Sequence, residues 1–257
     1  ADEMHLILAE KNPYNQKYAL SRALWFSKTG RTEEAIDIID NLHPAPTIRE
    51  EVQNQVQLIG FHLKNKSPES AEKVSKDLLA WSDSADTEIQ IGNLYFQEKQ
   101  YREALSYYER SLNKYQRDNY NAGTQLVNLG KCYAVLNQPN KAIEVFEKAR
   151  TKRNSSYLIR SLPQWLLANE LYETAIAYHQ ARFENRTPSI QDISQLATCL
   201  LKSEGSGAAI DTFQNTWNAQ DDRGKETLTA TFSGFISSHK LLDTLSQYSA
   251  TPLTKAS

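Results

Sequence analysis

Small residues recur along this chain at a nearly fixed interval. Ala35, Ala71, Ala104, Ala142, Ala175 and Ala209 are separated by 36, 33, 38, 33 and 34 residues, and a period in the mid-thirties marks a stack of repeated supersecondary units, each in contact with its neighbours only. Between breaks, apolar residues recur at three and four, as on amphipathic helices packed in pairs, and β-type alternation is nowhere sustained. The pattern predicts helices over 16–28 and 32–42, 49–64 and 68–81, 86–98 and 101–114, 121–136 and 139–150, 155–168 and 172–184, and 189–202 with 206–218. Gly30, Pro44, Pro46, Pro68, Pro139, Pro188 and Gly205 fall between them, where helix breakers belong.

Alanine marks the period because two antiparallel helices whose axes approach to about 8–10 Å leave room for only a small side chain at the crossing. Gly92 and Gly130 play the same part on the first helix of their pairs, against their helix propensity. Tyr95, Tyr108, Tyr133 and Phe146 then fill the space between successive helices. A last apolar segment, 223–248, holds Leu228, Phe232, Phe235, Ile236, Leu241, Leu242 and Leu245 without a repeat alanine. It reads as a cap over the stacking face of the final repeat.

These residues resemble the tetratricopeptide repeat. Leu126, Leu129, Gly130, Tyr133, Ala142, Phe146 and Ala149 match that family's places in one unit, and Ile91, Gly92, Tyr95, Tyr101, Ala104 and Tyr108 in the unit before it. The fifth and sixth units match more loosely, and the first two are degenerate. Pro163 stands where the fifth unit should have its small residue, which predicts a kinked or late-starting helix. The resemblance covers about residues 16–218. It implies an all-α fold, a right-handed α-solenoid of about six helical hairpins (16–48, 49–84, 85–120, 121–154, 155–188 and 189–222) with the cap and a flexible tail, 249–257, in a single domain over 1–257.

Composition limits the classes of function. The 29 Lys+Arg against 31 Asp+Glu leave a formal charge of −2, so no global basic field exists to hold nucleic acid. No apolar run approaches a membrane span. The start, Ala1-Asp-Glu-Met, lacks the order of a signal peptide, and beginning on Ala suggests a processed piece of something longer. Cys132 and Cys199 lie 67 residues apart at equivalent places two repeats from each other. Two repeats are roughly two stacking distances of about 10 Å each, beyond the roughly 7 Å between Cα atoms that a disulfide allows. Both read as small buried thiols, which leans toward a reducing, cytoplasmic compartment and leaves a periplasmic or anchored fragment open.

No chemistry is legible. His5, His43, His62, His179 and His239 form no pair at three- or four-residue spacing, so no metal site is expected. His179 falls where neighbouring units carry Tyr108 and Phe146 and reads as a packed ring. Gly205-Ser206-Gly207 has neither the strand nor the Lys of a phosphate loop and reads as a turn, and no nucleophile motif occurs. The basic run Lys148, Arg150, Lys152, Arg153 with Arg160 reads as a solvated helix end. Asn154-Ser-Ser and Asn185-Arg-Thr have glycosylation spacing at chance frequency. The chain is not read as an enzyme, and no cofactor is expected.

What the resemblance adds is a groove. In tetratricopeptide arrays the first helix of each pair lines a concave face, and the places that do so carry over to Ile89, Gln90, Asn93 and Gln97, then Thr124, Val127, Asn128, Lys131 and Val135, then Tyr157, Arg160, Ser161 and Gln164. Amides predominate and can donate to and accept from a peptide backbone, while Lys131 and Arg160 suit a carboxylate. Asn93 and Asn128 match the two asparagines of the family's carboxylate clamp, but Ile89, Tyr157 and Ser161 stand where its cations belong. A chaperone-tail role is therefore disfavoured. The expected function is a non-catalytic scaffold binding a peptide or helical segment of another protein through Gln90, Asn93, Gln97, Asn128, Lys131, Tyr157, Arg160 and Gln164. A ligand-sensing regulatory module of a longer protein is the alternative, and self-association suits either.

Overall fold

A computed structural model of the protein describes residues 15–114, 122–152, 155–185, 187–217 and 220–245, with Ile7 and Lys11. The expected tail, 249–257, and both glycosylation triplets fall wholly or partly outside the described residues. Among the described residues there is no strand. The helices follow in pairs: α1 (Gln16–Lys28) and α2 (Thr32–Asp40), α3 (Ile48–Lys64) and α4 (Pro68–Trp81), and α5 (Ala85–Gln97) with α6 (Tyr101–Lys114). Then come α7 (Ala122–Val135), α8 (Pro139–Arg150), α9 (Ser156–Ala168), α10 (Tyr172–Asn185), α11 (Ile190–Ser203) and α12 (Ser206–Trp217), and last α13 (Asp222–Ser238) with the single turn α14 (Leu242–Leu245). The chain divides into two compact units, 1–132 and 133–257, the division falling inside α7.

First and second helices begin differently. Asn15, Thr47, Ser84, Ser189 and Asp221 cap α1, α3, α5, α11 and α13 through their side chains, satisfying amides that the first turn leaves unbonded. Second helices start instead from a tight turn. Gly30, Lys66, Lys99, Asn137, Glu170, Gly205 and Lys240 all have positive φ, and in most of these turns the next amide returns to a carbonyl one helical turn back, as from Ser67 to His62 at 2.9 Å and Gln100 to Tyr95 at 2.8 Å. This is the Schellman closure. The left-handed residue lies five before the repeat alanine in five units and four before it in the sixth. Lys240 makes the same turn within the apolar segment 223–248, where the Leu241 amide reaches Ile236 at 3.0 Å.

All six period-marking alanines are fully buried, at 0% exposure. In the first unit Ala23, Phe26, Ala35, Ile39, Leu58 and Phe61 form the core of α1, α2 and α3. Gly92 shows why a small residue is needed on α5. A Cβ there would lie 3.0 Å from the Tyr108 ring and 3.2 Å from Cβ of Tyr107, closer than packed carbons tolerate. The Tyr95 and Tyr107 rings stack beside it, with centroids 5.3 Å apart.

In the second unit, one cluster joins Ala142, Phe146, Leu162, Leu166, Ala175, Tyr178, Leu196 and Cys199, and another joins Phe213, Phe232 and Phe235 with Ile193 and Ile210. His179 is fully buried beside the Tyr178 and Phe183 rings. Contrary to a late start, α9 runs from Ser156 through Pro163. Proline at 163 has no N–H for the Ile159 carbonyl. The Tyr178 hydroxyl from α10 donates to that carbonyl instead, at 3.3 Å. A neighbouring helix thus replaces the bond that the proline removes.

Cys132 and Cys199 are both buried and unbridged. Burial pushes the Cys132 thiol up to about 12 and the Cys199 thiol up to about 11. Only the thiolate reacts, so at pH 8 about one molecule in a thousand or fewer carries it at either site. Alkylation by iodoacetamide at pH 8 is expected to be slowed at least about a hundredfold relative to the urea-unfolded chain. Rapid labelling of the native protein, followed by mass spectrometry, would contradict this burial.

Candidate functional site

The first helices of the first unit line an open depression of about 830 Å³. Helix α3 contributes Arg49, Val52, Gln53 and Gln57, α5 contributes Asp86, Thr87, Ile89 and Gln90, and α7 contributes Thr124 and Gln125. Ser82 and Ser84, from the link between α4 and α5, complete it. One cation and one carboxylate balance each other, and the remaining polar groups are amides and hydroxyls. Gln53, Gln90 and Thr124 are exposed, while Val52 and Ile89 are half-buried beside them. Such a lining offers paired donors and acceptors with small apolar footholds and carries no net charge.

The expected groove residues have separate roles. Gln90, with Ile89 and Thr124, lines the depression. Asn93 is half-buried, and its carboxamide oxygen accepts from the Tyr108 hydroxyl at 2.7 Å and from Nδ2 of Asn128 at 3.3 Å. The two asparagines therefore bind each other, and Asn93 anchors a buried phenol whose ionisation burial suppresses. Gln97 is exposed on the last turn of α5. Lys131 is half-buried, and desolvation holds its ammonium below the usual lysine range. In the second unit, Tyr157, Arg160 and Gln164 are exposed on one face of α9, opposite buried Ile159, Leu162 and Leu166. Tyr157 is 77% exposed, unusual for so large a ring.

Sequence reasoning missed Gln53 and Gln57, whose helix in the degenerate second repeat offered only Gly60 as a landmark, and Gln125, which stands on α7 outside the places the family's groove uses. Gln57 stands three residues before Gly60 as Ile89 stands three before Gly92, and that register alone places it. It also missed Glu88, buried at 2% exposure on α5, at the place held by Val56 and Leu126 in the flanking units. Its Oε1 accepts from Arg110 Nε at 3.1 Å and from Lys114 Nζ at 3.2 Å, while Lys114 also pairs with Asp83. The signal was an acid on the apolar stripe of Ile91, Gly92 and Tyr95.

Among the described residues no His, Cys, Asp and Glu group is arranged to hold a metal ion, and no helix is long and apolar enough to cross a membrane. The basic run that begins in the last turn of α8 is partly neutralised on that helix, by Lys148 with Glu144 at 2.6 Å and Arg150 with Glu147 at 2.8 Å. Arg153 lies outside the described residues.

Helices in sequential pairs, left-handed turns in register and a sealed alanine in each second helix define an all-α helical-repeat protein, the architecture of an interaction scaffold. Residues 83–155 match the family model for the tetratricopeptide repeat. Over those residues the chain is similar to the tetratricopeptide repeat, and the rest of the described chain shares its helical-hairpin architecture. No curated protein sequence matches it. Among solved structures it is similar to the C-terminal part of a tetratricopeptide-repeat protein from Cytophaga hutchinsonii, with 12% identity, a TM-score of 0.50, and coverage of 92% of this chain and 88% of that one. It is also similar to PilF of Pseudomonas aeruginosa, at 17% identity and a TM-score of 0.42 over 83% of this chain and 96% of that one. YrrB, described as a repeat protein with an unusual peptide-binding site, shares 16% identity over 88% of this chain and 98% of its own, with a TM-score of 0.36. At these identities the likenesses concern the fold.

Proposed function

We propose that the protein is a non-catalytic scaffold that holds an extended peptide segment of a partner protein along its first helices, in repeats bounded as the sequence suggests and closed by 223–248. The depression on α3, α5 and α7 carries this reading, because Gln53, Gln57 and Gln90 present carboxamides over a surface without net charge. Each carboxamide matches the donor and acceptor of a peptide unit, whatever the side chain beyond it. Tyr157, Arg160 and Gln164 give the second unit an exposed face of its own, with one cation for a partner carboxylate. Asn93 serves this reading indirectly, by positioning Tyr108.

Affinity capture from the native host tests it. Replacing Gln53, Gln57 and Gln90 together by alanine is expected to lower recovery of the retained partner at least about tenfold, since each removes one to two hydrogen bonds worth about 1 kcal/mol. The circular dichroism melt should not move. Undiminished recovery would put the binding face elsewhere on the protein.

A further inference from the structure

One buried side chain in the amide-lined depression has an end with nothing to bind. Gln125 lines the depression from α7, although it is only 1% exposed. Its Nε2 is buried and has no hydrogen-bond partner among the described residues. At the other end, Oε1 lies 3.5 Å from the Ser111 hydroxyl, the outer limit for such a bond. That hydroxyl has a single proton, and the Tyr108 carbonyl at 2.8 Å is the nearer acceptor. A buried donor left unmet in this way is costly until something accepts from it.

Thr87 holds the same place one repeat earlier, five residues before Gly92 as Gln125 stands five before Gly130, and it is 2% exposed. Unlike Gln125 it is provided for. The hydroxyls of Ser84 and Ser82 lie 2.9 and 3.2 Å from its own, and all three line the same depression. Each hydroxyl oxygen has two lone pairs, so the trio retains acceptor capacity.

We infer that the depression selects its peptide by one side chain, a neutral carboxamide, which Gln125 receives. The inference rests on the proposed peptide groove and adds a specificity residue to it. Gln53 and Gln90 are exposed, whereas Gln125 is buried, so a backbone can lie on the first two while only a projecting side chain reaches the third. Turning the Gln125 amide toward that side chain gives up no more than the 3.5 Å contact with Ser111. In return the unmet donor gains an acceptor, and a ligand without one leaves it unmet, which is the basis of strong discrimination. A carboxamide carries donor and acceptor together. It pairs with Gln125 in either orientation of the amide, and it can donate in turn to the hydroxyls of Ser82, Ser84 or Thr87. A carboxylate is the poorer guest, because a buried charge needs an opposite one, and Arg49, the one cation of the described lining, is exposed and balanced by Asp86.

Titration of the full chain with five-residue peptides, followed by side-chain amide chemical shifts, tests the inference. The parent probe is N-acetyl pentaalanine N-methylamide, and the others carry Asn, Asp or Leu at the centre. Pentaalanine should shift the Gln53 and Gln90 side-chain amides saturably, a reading of the backbone groove alone. The asparagine peptide should bind about five- to tenfold more tightly, as one added hydrogen bond implies, and should also move the Gln125 side-chain amide. Gln125→Met should abolish that advantage and leave pentaalanine binding within about twofold, without lowering the melting temperature, since it removes an unmet polar group. Equal binding of the asparagine and alanine peptides, with shifts at Gln53 and Gln90, would overturn this inference and leave the groove standing. Tighter binding of the aspartate or leucine peptide would overturn it as well, and so would a Gln125→Met protein that keeps the preference for asparagine. Without saturable shifts from any of the peptides, groove and inference fall together.

Discussion

Replacing Arg110 and Lys114 together by methionine is expected to destabilise the protein by about 3–5 kcal/mol, because Glu88 would keep its buried charge and lose both partners. Glu88→Met alone is expected to change stability by no more than about 1 kcal/mol in either direction, since both cations can turn to water. The asymmetry follows from exposure. The Glu88 side chain is 2% accessible, whereas Arg110 and Lys114 are 48% and 29% accessible. The second carboxylate oxygen of Glu88 is buried with no hydrogen bond among the described residues, so the carboxylate is incompletely compensated even now. Methionine preserves most of the aliphatic bulk of Arg110, whose guanidinium sits 4.5 Å from the Tyr107 ring centre. Urea denaturation of the three proteins at pH 7 measures the difference. A Glu88→Met cost as large as that of the paired substitution would mean that the ion pair, and not burial of the acid, dominates.

The second large effect concerns Pro163. Tyr178→Phe is expected to cost about 1–3 kcal/mol, the penalty of leaving the buried Ile159 carbonyl without a donor. In a Pro163→Ala background, the new backbone N–H can reach that carbonyl. The same Tyr178→Phe change should then cost less by about 1–2 kcal/mol, a coupling that a double-mutant cycle reads directly. Arg182 also donates to the Tyr178 hydroxyl, at 3.5 Å, and this contact is lost in either background. It cancels from the coupling. Additive costs would show that the hydroxyl does not stand in for the missing helix bond.

Helix order and pairing were legible because they depend on side-chain size and period. Ala35 through Ala209 announced where axes cross, and every one is sealed from solvent. The turns were not legible. Gly30, Gly205 and Asn137 among the seven left-handed residues are of types that favour that conformation, while Lys66, Lys99, Glu170 and Lys240 adopt it under the Schellman bonds that close their turns. Those bonds outweigh a local preference of about 1–2 kcal/mol. The helix end after Asp40 also escaped the period, which carried α2 two residues too far.

The candidate site was half legible. Gln90 followed from its register with Gly92, but the oxygen of Asn93, assigned to a ligand by family place together with Asn128, accepts from both Asn128 and Tyr108. A place in a repeat fixes the direction of a side chain without fixing which neighbour takes its hydrogen bonds. Gln53 and Gln57 lay in the repeat with fewest landmarks, where Gly60 alone carried the register of their helix. Glu88 was passed over for a related reason, since a period search seeks apolar residues and says nothing of an acid held among them by two cations from the next helix.

The central claim is that the first helices of the opening unit present the partner-binding face, and site-specific photocrosslinking in the native host tests it most directly. A benzophenone amino acid at position 53, 90 or 124 should trap one and the same polypeptide, while the same group at position 72 or 103, on second helices, should not. Crosslinks arising equally from both sets, or from the second set alone, would contradict the account.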